Sequence, residues 1–185
     1  MVLLPQRLEG DGVTLRRWRP ADVALLHHAV VQSTEHLRPW MDWIDQEPQT
    51  VEQRRRMLVR WEQEWLGGGD ALYGVFVDDG AVAGGCGLHH RGGPGTLEIG
   101  YWLHPGFLGR GIMTRAARLL TDAAFAIPGI EHVEIHHDRA NTASRGIPER
   151  LGYELVEERT DPQVAPATGV DCVWRVPRSA WLANR

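Results

Sequence analysis

The chain has 185 residues, a length that suits one well-packed domain. Its hydrophobic fraction of 43% and its 8 tryptophans favour a globular core over disorder, and its net charge of -4 gives no electrostatic support for a nucleic-acid partner. The chain contains no lysine. Mechanisms that depend on a Walker lysine, a Schiff-base lysine or the strand lysine of kinases are therefore excluded.

Several features predict a cytoplasmic protein without a membrane partner. No run of about 18 apolar residues is present, so no membrane span is expected. The first residues, MVLLPQRLEGDG, lack the cationic region and the sustained apolar run of a secretory signal. Cys86 and Cys172 have no CxxC spacing, which fits reduced thiols in a reducing compartment.

The first predicted element is a strand at residues 13–20, where apolar and basic residues alternate. Asp22 is expected to cap the helix that follows. A second helix is predicted from about residue 50 to residue 66, because Thr50 and Gln53 fit a capping box. The connector between the helices contains Trp40, Met41 and Trp43.

From residue 71 the pattern changes to that of strands. Three strands are predicted at residues 71–77, 81–90 and 96–104, the first two joined by a hairpin signal at Asp79-Gly80. A helix is predicted at about 111–126, a strand at 132–137 and a short helix at about 142–151, with Gly152 after its last turn. The last two strands are predicted at 153–159 and 169–176.

This order predicts an α+β fold with a mixed sheet and one central βαβ crossover, in a single domain that spans residues 1–185. The crossover joins the strand at 96–104 to the strand at 132–137. Those two strands should be parallel, because a helix lies between them.

The segment LHPGFLGRGIMTRA, residues 103–116, begins the crossover helix with a glycine pair. Glycine permits unusual backbone dihedrals and close approach to the main chain, and the first turn of a helix has unpaired N–H groups that attract anions. Gly109 and Gly111 therefore predict a diphosphate-binding loop, to which the Thr114 hydroxyl can add a donor. A tight turn that merely needs glycine explains the pair equally well. A Rossmann fingerprint does not fit, because Thr114 stands at its third glycine position.

The run LGRGIMTRA resembles the Q/R-x-x-G-x-G/A signature of the GNAT acyltransferases, which binds the pyrophosphate of acetyl-CoA. Within that superfamily, LRRWRPAD, HLRPWMDW, LEIGYWLHP and RANTASRGIPERLGYELVEE are similar to RimJ/RimL-like N-acetyltransferases, so the resemblance covers nearly the whole chain. It implies a GNAT-type, mostly antiparallel sheet with two splayed parallel strands. Leu108 and Met113 depart from the signature, and we expect Met113 to point toward the sheet.

The resemblance also implies which residues bind acetyl-CoA as a co-substrate. Pantetheine would lie between the splayed strands against the backbone of Tyr101, Trp102 and Leu103, with the Leu103 N–H facing the thioester carbonyl. Asn141 would lie near the pantetheine arm and Ser144 near the sulfur, although both also suit the ordinary start of a helix. The diphosphate would contact the loop residues Leu108, Gly109, Arg110, Gly111, Ile112, Met113 and Thr114.

Two carboxylates are candidates for the base that deprotonates the amine. Glu98 lies on the strand beside the implied cofactor site. Glu157 lies one position after the acid of the family pattern, where this chain has Val156, and a one-residue offset turns a strand side chain to the other face. Glu98 is therefore preferred, with His89 and His136 as weaker alternatives. No metal site is expected, because adjacent histidines on a strand point to opposite faces.

In the GNAT fold the connector between the first two helices overhangs the acceptor pocket. Trp40 and Trp43, with carboxylates nearby, would suit a cationic amine, or would simply pin the connector to the core. The expected activity is transfer of an acetyl group from acetyl-CoA to a primary amine, of a protein N-terminus or a small molecule, by direct attack in a ternary complex. The alternatives are a catalytically idle CoA-binding module or a different donor such as succinyl-CoA. A homodimer is left open.

Overall fold

The computed structural model describes residues 4–77, 80–160 and 168–183. Eight strands form one sheet: β1 Arg7–Gly10, β2 Val13–Arg17, β3 Ala71–Phe76, β4 Val82–His89, β5 Thr96–Leu103, β6 His132–Asp138, β7 Glu154–Thr160 and β8 Val170–Pro177. Five α-helices accompany them: α1 Val23–Leu37, α2 Val51–Leu66, α3 Ile112–Phe125, α4 Thr142–Leu151 and α5 Arg178–Ala183.

The strand order is β1-β2-β3-β4-β5-β6-β8-β7, and every neighbouring pair is antiparallel except β5 and β6. The predicted α+β class, the mostly antiparallel sheet and the central crossover through α3 are therefore confirmed. None of the described helices is long and apolar enough to cross a bilayer.

The sequence-based elements differ from the structure mainly in the N-terminal part and at the last helix. Strand β1 and helix α5 were not predicted; β1 has one apolar residue in four positions, and α5 is only six residues long. Asp22 occupies the N-cap position of α1, as expected, but its side chain makes no cap hydrogen bond. Its carboxylate instead receives two hydrogen bonds from the Arg16 guanidinium, at 2.8 and 3.0 Å, and one from the Arg19 N–H at 2.9 Å. Residue Asp79 of the predicted hairpin lies outside the described residues.

The two faces of the sheet are covered by different helices. One face packs on α3 through the main core, which includes Ile99, Ile135, Ala116 and Leu120. On the other face α1 packs on β4 and α2 packs on β3. Further along that second face, β5, β6 and β8 carry charged side chains: Glu98, Glu134, His136, Asp171 and Arg175.

Strands β5 and β6 separate halfway along their length. They pair over Thr96–Ile99 and His132–Ile135, and beyond these residues no further pairing joins the two described strands. Each stays attached to its outer neighbour, β5 to β4 as far as Leu103 and β6 to β8 as far as Asp138. The sheet therefore opens between β5 and β6 at their carboxyl ends, as the predicted splay requires.

Candidate active site

The loop before α3 exposes its main chain. Gly109 has φ +72° and Gly111 has φ +66°, left-handed conformations that glycine adopts without strain. A Cβ atom on Gly109 would meet nothing within 4 Å, so open space lies over the backbone there. Gly111 occupies the position before the first helical residue and has no side chain to accept hydrogen bonds from the first-turn N–H groups. These groups are available to an anion.

Three side chains of the loop, those of Arg110, Ile112 and Met113, are engaged elsewhere. Met113 is only 4% exposed and packs in the main core with Ile112, which confirms that Met113 points toward the sheet. The guanidinium of Arg110 lies over the Phe107 ring, 5.2 Å from its centroid, and donates to the Gly106 carbonyl at 2.8 Å. Leu108 is exposed and Thr114 is half-buried. The departures from the family signature therefore leave the loop backbone open.

A cavity of about 590 Å³ lies at the opening between β5 and β6. Its walls come from both faces of the sheet, with Glu98 on the face of α1 and α2, and Tyr101 and Ser144 on the face of α3 and α4. The cavity therefore extends from the α1–α2 side of the sheet to the gap between β5 and β6. Several residues proposed from the sequence line it: Trp40, Trp43, His89, Glu98, Tyr101, Trp102, His136, Asn141 and Ser144. The loop residues 108–114 are not part of its wall.

The backbone N–H groups of β5 point alternately toward β4 and toward the opening. The N–H of His104 donates to the Ala83 carbonyl beside β4, at 2.8 Å. Because successive N–H groups of a strand point in opposite directions, the N–H of Leu103 is directed toward the opening and that of Trp102 toward β4. Trp102 reaches the cavity through its indole ring instead, which packs edge-on against Trp43 with 6.3 Å between centroids.

Ser144 is linked to the strand across the opening. Its Oγ lies 2.8 Å from the Tyr101 hydroxyl, which also contacts the Ser144 carbonyl at 3.3 Å. Burial raises the pKa of Tyr101 well above its usual range, although the hydrogen bond with Ser144 opposes this, so the phenol keeps its proton. It can then donate to Ser144 and leave the serine hydroxyl free to donate in turn. Asn141 caps α4, because its Oδ1 accepts from the Ser144 N–H at 3.1 Å.

Glu98 lies on β5 between His89 of β4 and Glu134 of β6, and its side chain is 13% exposed. Arg91 approaches it, with 3.5 Å between Nη1 and Oε1. The carboxylate therefore lies at the mouth of the opening, with the Arg91 guanidinium beside it and His136 of the next strand close enough to interact electrostatically.

His136 has both ring nitrogens engaged. Nδ1 lies 3.1 Å from Asp171 Oδ2, and Nε2 lies 3.1 Å from Glu134 Oε2. Burial alone would lower its pKa, but the hydrogen bonds to the two carboxylates raise the pKa of His136 to about 9. At neutral pH the ring is therefore an imidazolium that donates on both sides, and it has no lone pair with which to accept a proton.

A β-bulge gives the Glu157 side chain a different orientation from the one predicted from its one-residue offset. The pairing of β7 with β8 shifts between Leu155 and Glu157, so Val156 is the extra residue and Glu157 pairs with Val173. The prediction that the one-residue offset turns Glu157 to the other face is therefore wrong, and Glu157 shares the face of Glu98. It stands three strands away, roughly 14 Å, with its side chain 54% exposed, and it is not part of the cavity wall.

The connector between α1 and α2 is fixed by a buried ion pair. Arg54 Nη2 donates to Glu47 Oε1 at 2.7 Å, with side chains only 1% and 2% exposed. Trp40 and Trp43 are half-buried and line the cavity. The tryptophans therefore pack the connector against the fold and also form the cavity wall.

Two residues of the site carry no sequence signal for their role. Tyr101 meets Ser144 only because β5 and α4 approach each other across the opening, 43 residues apart in the chain. Asp70 contacts His89 through the pairing of β3 with β4. Within the described ranges, no group of three or more histidine, cysteine or acidic side chains is arranged to hold a metal ion.

The Acetyltransferase (GNAT) domain family matches residues 13–154 of this chain. The chain belongs to the GNAT family. It is a GNAT-type acetyltransferase, as the resemblance implied at the level of the superfamily.

Relatives and solved structures agree with this assignment. The chain is 28% identical over 144 residues to YdaF of Bacillus subtilis (strain 168), named as a candidate ribosomal N-acetyltransferase, and the match covers 77% of this chain and 78% of YdaF. Its fold is similar to RimL, a ribosomal L7/L12 alpha-N-protein acetyltransferase in complex with coenzyme A, with a TM-score of 0.82, 21% identity and coverage of 95% and 98%. It is also similar to the microcin C7 self-immunity acetyltransferase MccE in complex with acetyl-CoA and AMP, with a TM-score of 0.83, 18% identity and the same coverage.

Proposed function

We propose that this GNAT enzyme transfers the acetyl group of acetyl-CoA to the α-amine of a protein N-terminus, by direct attack within a ternary complex. The observation that carries the proposal is that the cavity on the α1–α2 side reaches the gap where β5 and β6 separate, beside Tyr101 and Ser144. A donor that enters from the α3 side and an acceptor that enters from the α1–α2 side can meet there without leaving the protein.

The residues present suit a diphosphate at the start of α3. The space over Gly109, the bare first turn after Gly111 and the buried side chain of Met113 together leave the amide groups of the loop accessible. Each such contact with an anion is worth about 0.3–1 kcal/mol when exposed and up to ~2 kcal/mol when partly buried. Leu103 would contribute its N–H further along the opening. Acetyl-CoA, when bound, supplies the acetyl group as a thioester with a thiolate leaving group.

On the acceptor side, Glu98 would attract the ammonium form of the amine and take its proton directly or through water. The carboxylate is largely shielded from solvent and faces the cavity, where electrostatic attraction is screened less than at the surface. Trp40 and Trp43 would pack against the residue that bears the amine, and their ring faces suit a cation.

On the donor side, Ser144 would donate a hydrogen bond to the sulfur as the C–S bond breaks. The Tyr101 hydroxyl is 2.8 Å from Ser144 Oγ and, by donating to it, would leave the serine proton for the sulfur. Hydrogen bonds to charged groups contribute about 1.5–3 kcal/mol, so this pair can account for a tenfold to hundredfold effect on the rate.

A protein amine is preferred as the acceptor because relatives in the family carry that activity in their names: YdaF is named for the ribosome and RimL for the α-amine of L7/L12. A small-molecule amine is the competing acceptor. A catalytically idle module that binds CoA, or an enzyme that uses another donor such as succinyl-CoA, would differ in turnover and not in fold.

The test is steady-state release of CoA thiol with acetyl-CoA and a panel of short peptides that differ in their first residue, beside the same peptides with a blocked N-terminus and a set of small amines. Turnover restricted to free N-termini supports the proposal, and turnover with small amines alone refutes the acceptor class. Tight CoA binding with no turnover for any amine would identify an idle module. Turnover with succinyl-CoA alone would mean that succinyl-CoA, and not acetyl-CoA, is the donor.

A further inference from the structure

Asp70 and His89 form a hydrogen-bonded pair beside the cavity. Asp70 directly precedes β3 and His89 ends β4, and the antiparallel pairing of Ala71 with Leu88 brings them together. The Asp70 Oδ2 atom lies 2.6 Å from His89 Nδ1, and its Oδ1 atom accepts from the His90 N–H at 3.1 Å. The His90 N–H thus fixes the Asp70 carboxylate, which in turn fixes the His89 imidazole.

This pairing determines which nitrogen of His89 carries a proton. Burial alone would raise the pKa of Asp70, but the hydrogen bonds from the His89 side chain and the His90 N–H hold the pKa below its usual range. Asp70 is therefore an ionised carboxylate, which can only accept hydrogen bonds. Nδ1 of His89 must donate, so in the neutral ring the lone pair is on Nε2.

Nε2 lies at the mouth of the opening. A Cβ atom on Gly100 would stand 3.0 Å from Nε2, and one on Gly87 would stand 3.4 Å from it, so the ring rests on main chain that has no side chain. Gly100 is the first residue of β5 beyond the last pair with β6. His89 and its cross-strand neighbour Glu98 both line the cavity.

The other titratable groups near the opening already have partners. His136 donates from both nitrogens, and Glu98 faces Arg91 at 3.5 Å. Arg91 also approaches Nδ1 of His89, at 3.4 Å. In the part of the chain that the structure describes, Nε2 of His89 makes no hydrogen bond. It is a free acceptor on a side chain that lines the cavity.

We propose that His89, positioned by Asp70, is the group that accepts the proton of the acceptor amine, and that Glu98 serves to attract the ammonium ion. The inference rests on the proposed function and changes one role within it, because His89 replaces Glu98 as the base. The ammonium group R–NH3⁺ gives one proton to Nε2, and its nitrogen forms the C–N bond as the C–S bond breaks. The second proton of the nitrogen goes to the departing sulfur, which leaves as the thiol, and His89 returns the first proton to water. Imidazole is the side chain suited to such exchange near neutral pH.

The kinetic test compares His89→Gln with His90→Gln, an exposed neighbour whose side chain is outside the cavity. His89→Gln should lower kcat about 100-fold or more, the usual contribution of a general base, and should leave the KM for acetyl-CoA unchanged. The ascending limb of kcat/KM against pH should disappear in His89→Gln and persist in both His90→Gln and Glu98→Gln. The inference is overturned if His89→Gln keeps the rate and the limb, or if Glu98→Gln is the variant that loses the limb.

A second variant, Gly100→Ala, displaces the His89 ring without removing the histidine. The atoms nearest to a Cβ on Gly100 all belong to the His89 ring, so Gly100→Ala should move Nε2 without meeting backbone. Its kcat should fall, and the double variant with His89→Gln should be no slower than His89→Gln alone. Additive losses would mean that Gly100 acts independently of His89 and would contradict the inference.

A third measurement does not depend on turnover. Long-range ¹H–¹⁵N correlation spectra of the free enzyme should show His89 as the Nδ1–H tautomer, and Asp70→Asn should reduce its population. The Nε2–H tautomer in the free wild-type enzyme would overturn the inference. If no amine is acetylated by the wild type, the proposed function fails whatever the tautomer. If amines are acetylated and His89→Gln is unaffected, only the inference fails.

Discussion

Replacement of Gly109 by alanine, compared with the same change at Gly129, distinguishes the effect of backbone strain from the loss of the anion site. Gly109 has φ +72°, so a Cβ atom would cost about 1 kcal/mol of folding free energy, and it would project into the open space over the loop. Gly129 is a matched control: its φ is +84°, a Cβ there also meets nothing within 4 Å, and it lies beyond the other end of α3, about 21 Å along the helix. Both variants should lose roughly 2–4 °C in Tm.

Only Gly109→Ala should weaken CoA binding. If the methyl group removes one or two N–H contacts of about 1 kcal/mol each, the Kd for CoA measured by calorimetry should rise about 5- to 30-fold. Gly129→Ala should bind CoA like the wild type. Equal affinity in both variants would refute a diphosphate site over Gly109, and equal weakening in both would mean that strain and not the site is responsible.

Three further predictions concern Ser144, His136 and the buried ion pair of the connector. Ser144→Ala should lower kcat about 10- to 100-fold with little change in the Kd for CoA; a rise in Kd with unchanged kcat, seen by calorimetry and steady-state kinetics, would contradict the assigned role. The free energy that His136 contributes should be complete below about pH 6.5 and should be lost as the pH rises through about 9, because the folded protein holds this proton more tightly than the unfolded chain. Urea unfolding should therefore show wild-type stability falling by at most about 1.4 kcal/mol per pH unit in that window, and a similar slope in His136→Gln would contradict the assignment. Arg54→Met should cost about 3–5 kcal/mol of unfolding free energy, because Glu47 then remains charged and buried without its partner; Glu47→Gln combined with Arg54→Met should recover part of the loss.

The order of strands and helices could be predicted because the periodicity is local. The short helix α4 has the predicted bounds, since Asn141 and Gly152 mark its two ends with an N-cap and a left-handed residue. The crossover required parallel strands, and the glycine pair required positive φ values, which the structure has at both positions. These features depend on residues close together in the chain.

Contacts between distant segments could not be predicted in the same way. Asp70 meets His89 only through the register of β3 with β4, and Glu157 reaches the face of Glu98 only because Val156 forms a bulge. The same holds for Asp22, whose carboxylate turns to Arg16 in place of the helix start it was expected to cap. In each case the partner is set by strand register or by a competing charge, neither of which appears in the local pattern.

The site at the opening between β5 and β6 is tested most directly by a crystal structure of this protein with CoA bound. We expect the diphosphate against the amide groups of residues 109–114, the pantetheine arm between β5 and β6 with a hydrogen bond from Leu103, and the sulfur beside Ser144. A diphosphate bound elsewhere, with the gap between the two strands filled by the protein's own side chains, would contradict it.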